Sequence, residues 1–216
     1  MINRIIDIET IPDENAIRPE FDPSEVKTGN IKDEAKIADK IEQARADFDA
    51  GLTKKMSVDS SFCRIVSLGY IDLNGIGEIT KEEYIYGEKS DDEILEIFCR
   101  LHNRNDRYIG WNIKGFDLPV LWKRGIIKNI PALTEIQKMT HPYRDDLALD
   151  LMHLWNNGGY GKLSDCANRL DIFCKTGLDG SKIYQAWKDG RKQDILDYNR
   201  EDCHATLAIA RRLGVL

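Results

Sequence analysis

The sequence predicts an α/β fold with a mixed central sheet of about five strands and helices on both of its faces. Three observations predict it. A β-branched run opens the chain, two apolar β-rich runs flank an Asn-Gly turn, and segments with helical spacing alternate with these strands and then follow them. The 216 residues, 42% of them hydrophobic, suffice for one buried core without covalent staples.

Asn3 to Glu9 reads as the first strand, with Ile5, Ile6 and Ile8, and Pro12 ends it. Pro12, Pro19 and Pro23 mark an irregular stretch. From Ile31 to about Leu52 the spacing becomes helical, with Ile37, Ile41, Ala44 and Phe48 on one stripe. This predicts a charged helical insertion at about 12–57 in an otherwise single domain spanning 1–216. Phe62 to Leu73 and Glu78 to Tyr86 form a hairpin around Asn74-Gly75. Ser90 with Glu93 suggests a capping box opening a helix whose stripe is Ile94, Leu95, Ile97, Phe98 and Leu101. Tyr108 to Trp111 is a short strand. Phe116 to Arg124 is a helix with Gly125 at its end. Leu147 to Trp155 is an apolar element stopped by Asn-Asn-Gly-Gly. Leu163–Leu170, Ser181–Lys188 and Arg191–Leu213 are helices.

Composition excludes several classes. Charged residues are 31%, with 16 Gly and 6 Pro, which rules out a collagenous, low-complexity or wholly disordered chain. No apolar run has the length of a membrane span, and Met1 to Thr10 carries acids where a secretory signal needs an apolar core, so the expected compartment is the cytoplasm. Five scattered cysteines without CxxC spacing argue against a disulfide framework and a structural zinc site. The net charge of −6 argues against a non-specific nucleic-acid coat, but not against an enzyme that meets phosphates through divalent cations.

Three segments carry chemistry. Asp7-Ile8-Glu9-Thr10 places Asp7 and Glu9 on one face of the first strand, where two buried carboxylates are costly without a cation. Trp111-Asn112-Ile113-Lys114-Gly115-Phe116-Asp117 lies where a strand feeds a helix, the place where ligands bind in α/β sheets; Asp117 is equally suited to cap that helix. In the last helix, Tyr198 and Asp202 are four residues apart and share a face.

Together and in this order these segments resemble the three exonuclease motifs of the DEDD superfamily, 3′–5′ exonucleases with an RNase H-like fold. The position five before Asp202 is Asp197 and not His, so the resemblance is to the tyrosine subgroup. That subgroup includes the proofreading domain of family-B DNA polymerases. The closest likeness is to stand-alone bacterial and phage exonucleases related to that domain. It runs from Asp7 to Asp202, with the 12–57 insertion covered least.

The resemblance implies a metal-dependent 3′–5′ exonuclease acting on single-stranded DNA 3′ ends and releasing nucleoside monophosphates. Phosphodiester hydrolysis needs an activated water and charge neutralisation, which two divalent metals about 4 Å apart supply. Oxygen donors suit Mg²⁺ or Mn²⁺, whereas the four His show no zinc-hydrolase spacing. Asp7 is implied to bridge both metals, Glu9 and Asp202 to complete the one carrying the attacking water, Asp117 to hold the other, and Tyr198 to orient the water. Asn112, Phe116 and Thr10 are implied to contact the terminal nucleotide, although core packing suits Phe116 equally. Lys162, Lys175, Lys182, Arg191 and Lys192 can line a strand groove or simply be solvated, and the four Trp read as core or edge residues. An exoribonuclease, a silent nucleic-acid-binding or protein-binding module, and a purely structural domain are the competing readings. The chain has no room for an attached polymerase, so it works alone or docks to a replication or repair protein, with residues 31–52 as the surface for such a partner.

Overall fold

The computed structural model describes residues 2–88, 90–103, 105–174 and 177–216. Five strands form one sheet in the order β3-β2-β1-β4-β5. The strands are β1 (Asn3–Pro12), β2 (Cys63–Leu73), β3 (Ile79–Tyr86), β4 (Arg107–Gly110) and β5 (Ala148–Asp150). β1 pairs antiparallel with β2 and parallel with β4. The helices are α1 (Glu34–Val58), α2 (Asp92–Leu101), α3 (Asp117–Ile127), α4 (Leu151–Trp155), α5 (Leu163–Arg169), α6 (Ile183–Lys188) and α7 (Lys192–Arg212). Among the described residues no helix is long and apolar enough to cross a membrane.

Strand alternation divides the core in two. Ile6 and Ile8 point to one face, where Phe98, Leu118, Leu121 and Leu133 cover them. Ile5 points to the other, which Ala167, Leu207 and Ile209 cover. Asp7 and Glu9 share the parity of Ile5 and so lie on the α7 face. A register shift between Glu9 and Thr10 leaves Val66 as an extra residue on β2. β1 pairs with β4 only as far as Ile5↔Ile109. Beyond that point the β4-side edge of β1 is open, and the site lies along it.

Several boundaries differ from the sequence reading. β1 runs on to Pro12, because proline closes a strand comfortably at its last position. α1 starts at Glu34, where Asp33 caps it, and continues to Val58; its predicted stripe is only half-buried, and Met56 is its one buried residue. The hairpin is not a two-residue Asn-Gly turn. Asn74 accepts the Ile76 and Glu78 amides, and Gly77 takes the positive φ of 78°. Ser90 forms no capping box with Glu93. The helix starts at Asp92, after Asp91, whose carboxylate is taken by Arg124. The apolar element 147–155 is a strand followed by a helix, and residues 131–140 form a 3₁₀ stretch that periodicity did not reveal.

Gly125 does not end α3, which continues to Ile127; it lets the helix touch the 3₁₀ stretch. A Cβ there would lie 2.6 Å from the Leu133 Cβ. Gly125→Val therefore overpacks this contact and is expected to cost about 2 kcal/mol, read as a lower urea midpoint with an unchanged slope.

A buried ion triad ties three elements together. The Arg124 guanidinium on α3 binds Asp91 with two N–H groups, at 2.5 and 3.0 Å, and Asp13 with a third at 2.5 Å. Burial pulls the Arg124 pKa down, but the bonds from Asp91 and Asp13 outweigh it and hold the group above its ordinary value.

Candidate active site

The site is a cleft of about 540 Å³ at the open edge of β1, on the face that α7 covers. Asp7 and Glu9 from β1 and Asp202 from α7 meet there. One carboxylate oxygen from each lies within 4.8 Å of the others, and together they can hold a metal ion. Glu9 and Asp202 are buried and Asp7 half-buried. All three donors are hard oxygens, a set suited to Mg²⁺ or Mn²⁺ and unsuited to a sulfur-seeking metal.

Asp117 stands behind this group at the start of α3. Its Oδ1 accepts the Ile8 amide at 3.1 Å, an N–H that β4 is too short to pair. It does not line the cleft. Burial, and next the charge of Asp7, push its carboxyl well above the usual carboxylate range. Negative charge thus accumulates where a cation would offset it.

Tyr198 is buried on α7 and lines the cleft. Burial raises its phenol pKa, and the charges of Glu9, Asp202 and Asp7 raise it further. The hydroxyl keeps its proton at neutral pH and works as a hydrogen-bonding group, not as a base. Gly180 approaches it closely, since a Cβ there would lie 3.2 Å from the Tyr198 hydroxyl.

Two positioning residues carry no motif and escaped the sequence reading. Asn199 donates from Nδ2 to Asp7 Oδ2 at 2.5 Å and accepts from Ser67 Oγ at 3.1 Å. Gly69 makes room for it, because a Cβ there would sit 2.6 Å from Asn199 Oδ1. The hint was its place beside Tyr198 in the helix. Asp150 at the end of β5 accepts the Asn112 and Lys114 amides, both at 3.1 Å, and also caps α4. It holds the turn in which Asn112 takes a left-handed φ of 60°. An Asp between a short strand and a helix was a legible cap, but its second task was not.

Asn112 and Phe116 line the cleft, and Phe116 also packs on the core. Thr10 is the residue that departs from expectation. It alternates away from Asp7 and Glu9, and its hydroxyl donates to the Ser57 carbonyl at 2.6 Å, fastening α1. Of the suggested basic groove, Lys162 alone among the described residues lines the cleft. Lys182 is exposed, Arg191 pairs with Asp194 at 2.6 Å, and Lys192 lies over the Tyr86 ring. Lys175 is outside the described residues. Trp111 is half-buried at the cleft wall, with Nε1 donating to the Gly161 carbonyl at 2.9 Å. Cys63, Cys166 and Cys203 are buried.

Carboxylates from a central strand and a late helix converge over a mixed five-stranded sheet with helices on both faces, the fold of the RNase H-like 3′–5′ exonuclease class. A family model described as "Predicted 3'-5' exonuclease related to the exonuclease domain of PolB" matches residues 57–215. The chain belongs to this family. Asn112, Phe116, Asp117, Tyr198 and Asp202 fall inside the matched segment, while Asp7 and Glu9 precede it, on the far side of α1.

Solved structures show the same fold. The family B DNA polymerase from the archaeon Pyrobaculum calidifontis superposes with a TM-score of 0.60 at 18% identity, over 99% of this chain and 24% of the polymerase. E. coli exonuclease I in complex with a dT13 oligonucleotide matches with a TM-score of 0.56 at 11% identity, over 99% of this chain and 41% of that one. The chain thus spans under half the length of these neighbours. No curated protein matches it.

Proposed function

We propose that the chain is a metal-dependent 3′–5′ exonuclease of the tyrosine subgroup that releases nucleoside monophosphates from the 3′ end of single-stranded DNA. Residues 1–216 act as one exonuclease domain, with the helix-bearing segment of about 12–57 inserted after the first strand. The observation that carries the reading is the meeting of Asp7, Glu9 and Asp202 within 4.8 Å, beside a buried Tyr198. The relation to the PolB exonuclease family favours DNA as the substrate, as does the oligonucleotide seen on exonuclease I.

Two divalent cations, Mg²⁺ or Mn²⁺, supply water activation and charge neutralisation at such a site. Asp7, Glu9 and Asp202 would hold them, and Asp117, next to this group though outside the cleft lining, would serve the second ion. The Tyr198 hydroxyl, kept protonated by its surroundings, orients the attacking water. Asn112 hydrogen-bonds to the terminal nucleotide and Phe116 packs against it. Asn199 fixes the rotamer of Asp7 through the hydrogen bond from its side-chain amide.

The test is a gel assay with end-labelled DNA and RNA single strands of one sequence, each with Mg²⁺, Mn²⁺ or EDTA. A ladder shortening from the 3′ end of DNA, absent with EDTA, is the expected result. Preferential loss of RNA would replace DNA by RNA as the substrate. Intact strands with both metals would end the nuclease reading.

Asn199→Ala is expected to raise the half-saturating Mn²⁺ concentration about 10–100-fold, as for other groups that orient a metal ligand. Much of the rate should return at saturating metal. A rate that stays low at every metal concentration, with normal half-saturation, would place Asn199 elsewhere in the chemistry.

A further inference from the structure

Tyr160 lies in the loop between α4 and α5 and lines the cleft while 80% exposed. Single exposed aromatics are ordinary on protein surfaces, and Tyr143 and Phe173 are two that stand away from the cleft. Tyr160 differs from them in three ways. Its ring and hydroxyl have no partner among the described residues. Its backbone neighbours are hydrogen-bonded to the body of the protein. The Trp111 indole holds the Gly161 carbonyl at 2.9 Å, the Gly158 amide donates to the His153 carbonyl at 2.8 Å, and the Asn156 amide group fills the space beside Gly161, where a Cβ would lie 2.6 Å away. Lys162, two residues on, lines the same cleft and is exposed, and no ion pair engages it among the described residues. The loop thus presents an exposed aromatic ring and, two residues on, an exposed ammonium group. That combination suits a single strand, since each base has a face to stack and each link a phosphate to neutralise.

We propose that Tyr160 is a stacking platform for a base upstream of the 3′-terminal nucleotide, with Lys162 meeting the neighbouring phosphate. The assignment rests on the exonuclease reading, which puts the 3′ end at the buried carboxylates on the floor of the cleft. Trp111 directly follows β4, so the 160–162 loop hangs on the β4 side of the opening. A strand whose end sits among Asp7, Glu9 and Asp202 must leave past the rim, and the ring at the rim meets a base further up the strand. Tyr160 is here a binding and positioning residue. It touches neither the scissile phosphate nor the water.

The test is a binding cycle with the whole chain in EDTA, where no cleavage occurs. The probe is a 5′-fluorescein-labelled oligo-dT read by anisotropy, together with versions carrying one abasic site at the second, third or fourth nucleotide from the 3′ end. Tyr160→Ala is expected to weaken the intact strand about tenfold, and Tyr160→Phe to keep wild-type affinity. One abasic position should cost the wild type the same tenfold and cost Tyr160→Ala nothing more. Lys162→Ala should lower the salt slope by about one phosphate contact. With Mn²⁺, Tyr160→Ala should raise KM on the oligonucleotide with kcat unchanged, and should hydrolyse thymidine 5′-(p-nitrophenyl phosphate), which has no upstream base, like wild type. Tyr160→Ala binding within twofold of wild type, equal losses on all abasic strands, or a wild type that does not bind the strand would each overturn the platform. A wild type that binds with this Tyr160 dependence but cleaves neither substrate would overturn the exonuclease reading and leave the platform standing.

Discussion

Replacing Asp7 with Asn is expected to lower kcat on single-stranded DNA by about a thousandfold or more, while the metal-free protein melts no lower than wild type. The two halves of this result have one cause. Asp7 shares a 4.8 Å group with Glu9 and Asp202, and after burial its charge is the next largest influence raising the Asp117 carboxyl. A carboxyl whose folded pKa is raised costs stability above its unfolded value of about 3.9 and returns it as pH falls. Without metal, the wild type should therefore be less stable at pH 8 than this group would allow near pH 5. Asp7→Asn removes part of that repulsion, so its metal-free stability should fall less over the same range. Added Mn²⁺ reverses the order. A ligand at a hundred times its Kd stabilises by about 2.7 kcal/mol, and only the protein that holds it gains. Thermal melts with EDTA and with Mn²⁺ at both pH values check this. An Asp7→Asn protein that gains as much Tm from Mn²⁺ as wild type would remove Asp7 from the metal site.

Arg124→Ala is expected to destabilise the fold by about 3–5 kcal/mol, because it strands two buried carboxylates and does not simply delete a contact. At this chain length that corresponds to a Tm lower by roughly 6–20 °C. Asp91 is fully buried and Asp13 nearly so. Burial alone would raise Asp13, but the Asn15 amide and the Arg124 guanidinium outweigh it and hold the carboxyl below the usual range. A depressed folded pKa contributes stability above the unfolded value near 3.9 and loses it as pH falls further. The wild type should thus lose this contribution only below about pH 4. In the variant Asp13 loses the guanidinium that holds its carboxyl down, so the deficit should shrink as pH drops toward 4. A deficit unchanged across that range would mean that the guanidinium acts by packing alone.

The strands and the motif acids were legible because each follows from a short-range rule. Alternation in β1 placed Asp7 with Glu9, and helical spacing placed Tyr198 with Asp202. The same alternation sends Thr10 to the opposite face, where its hydroxyl meets the Ser57 carbonyl, so the family likeness overrode a signal already in the strand. What stayed illegible depends on distant partners. Asp91 is drawn from capping duty by Arg124, and Gly125 is set by Leu133. Asn199 gains its role from Ser67 and Asp7, and the three residues are far apart in sequence. A pattern within one segment cannot report such pairings. The 131–140 stretch has no regular period, because a 3₁₀ turn repeats every three residues and not at the spacing of an α-helix.

The Asn199–Asp7 bond spans 192 residues, and that order along the chain has a consequence for synthesis. During translation β1 emerges well before its partners on α7. At roughly 5–20 residues per second, the strand waits about ten to forty seconds for them. Until then Asp7 and Glu9 form no complete cation site, so the centre that the proposed exonuclease needs is assembled only when α7 docks against β1.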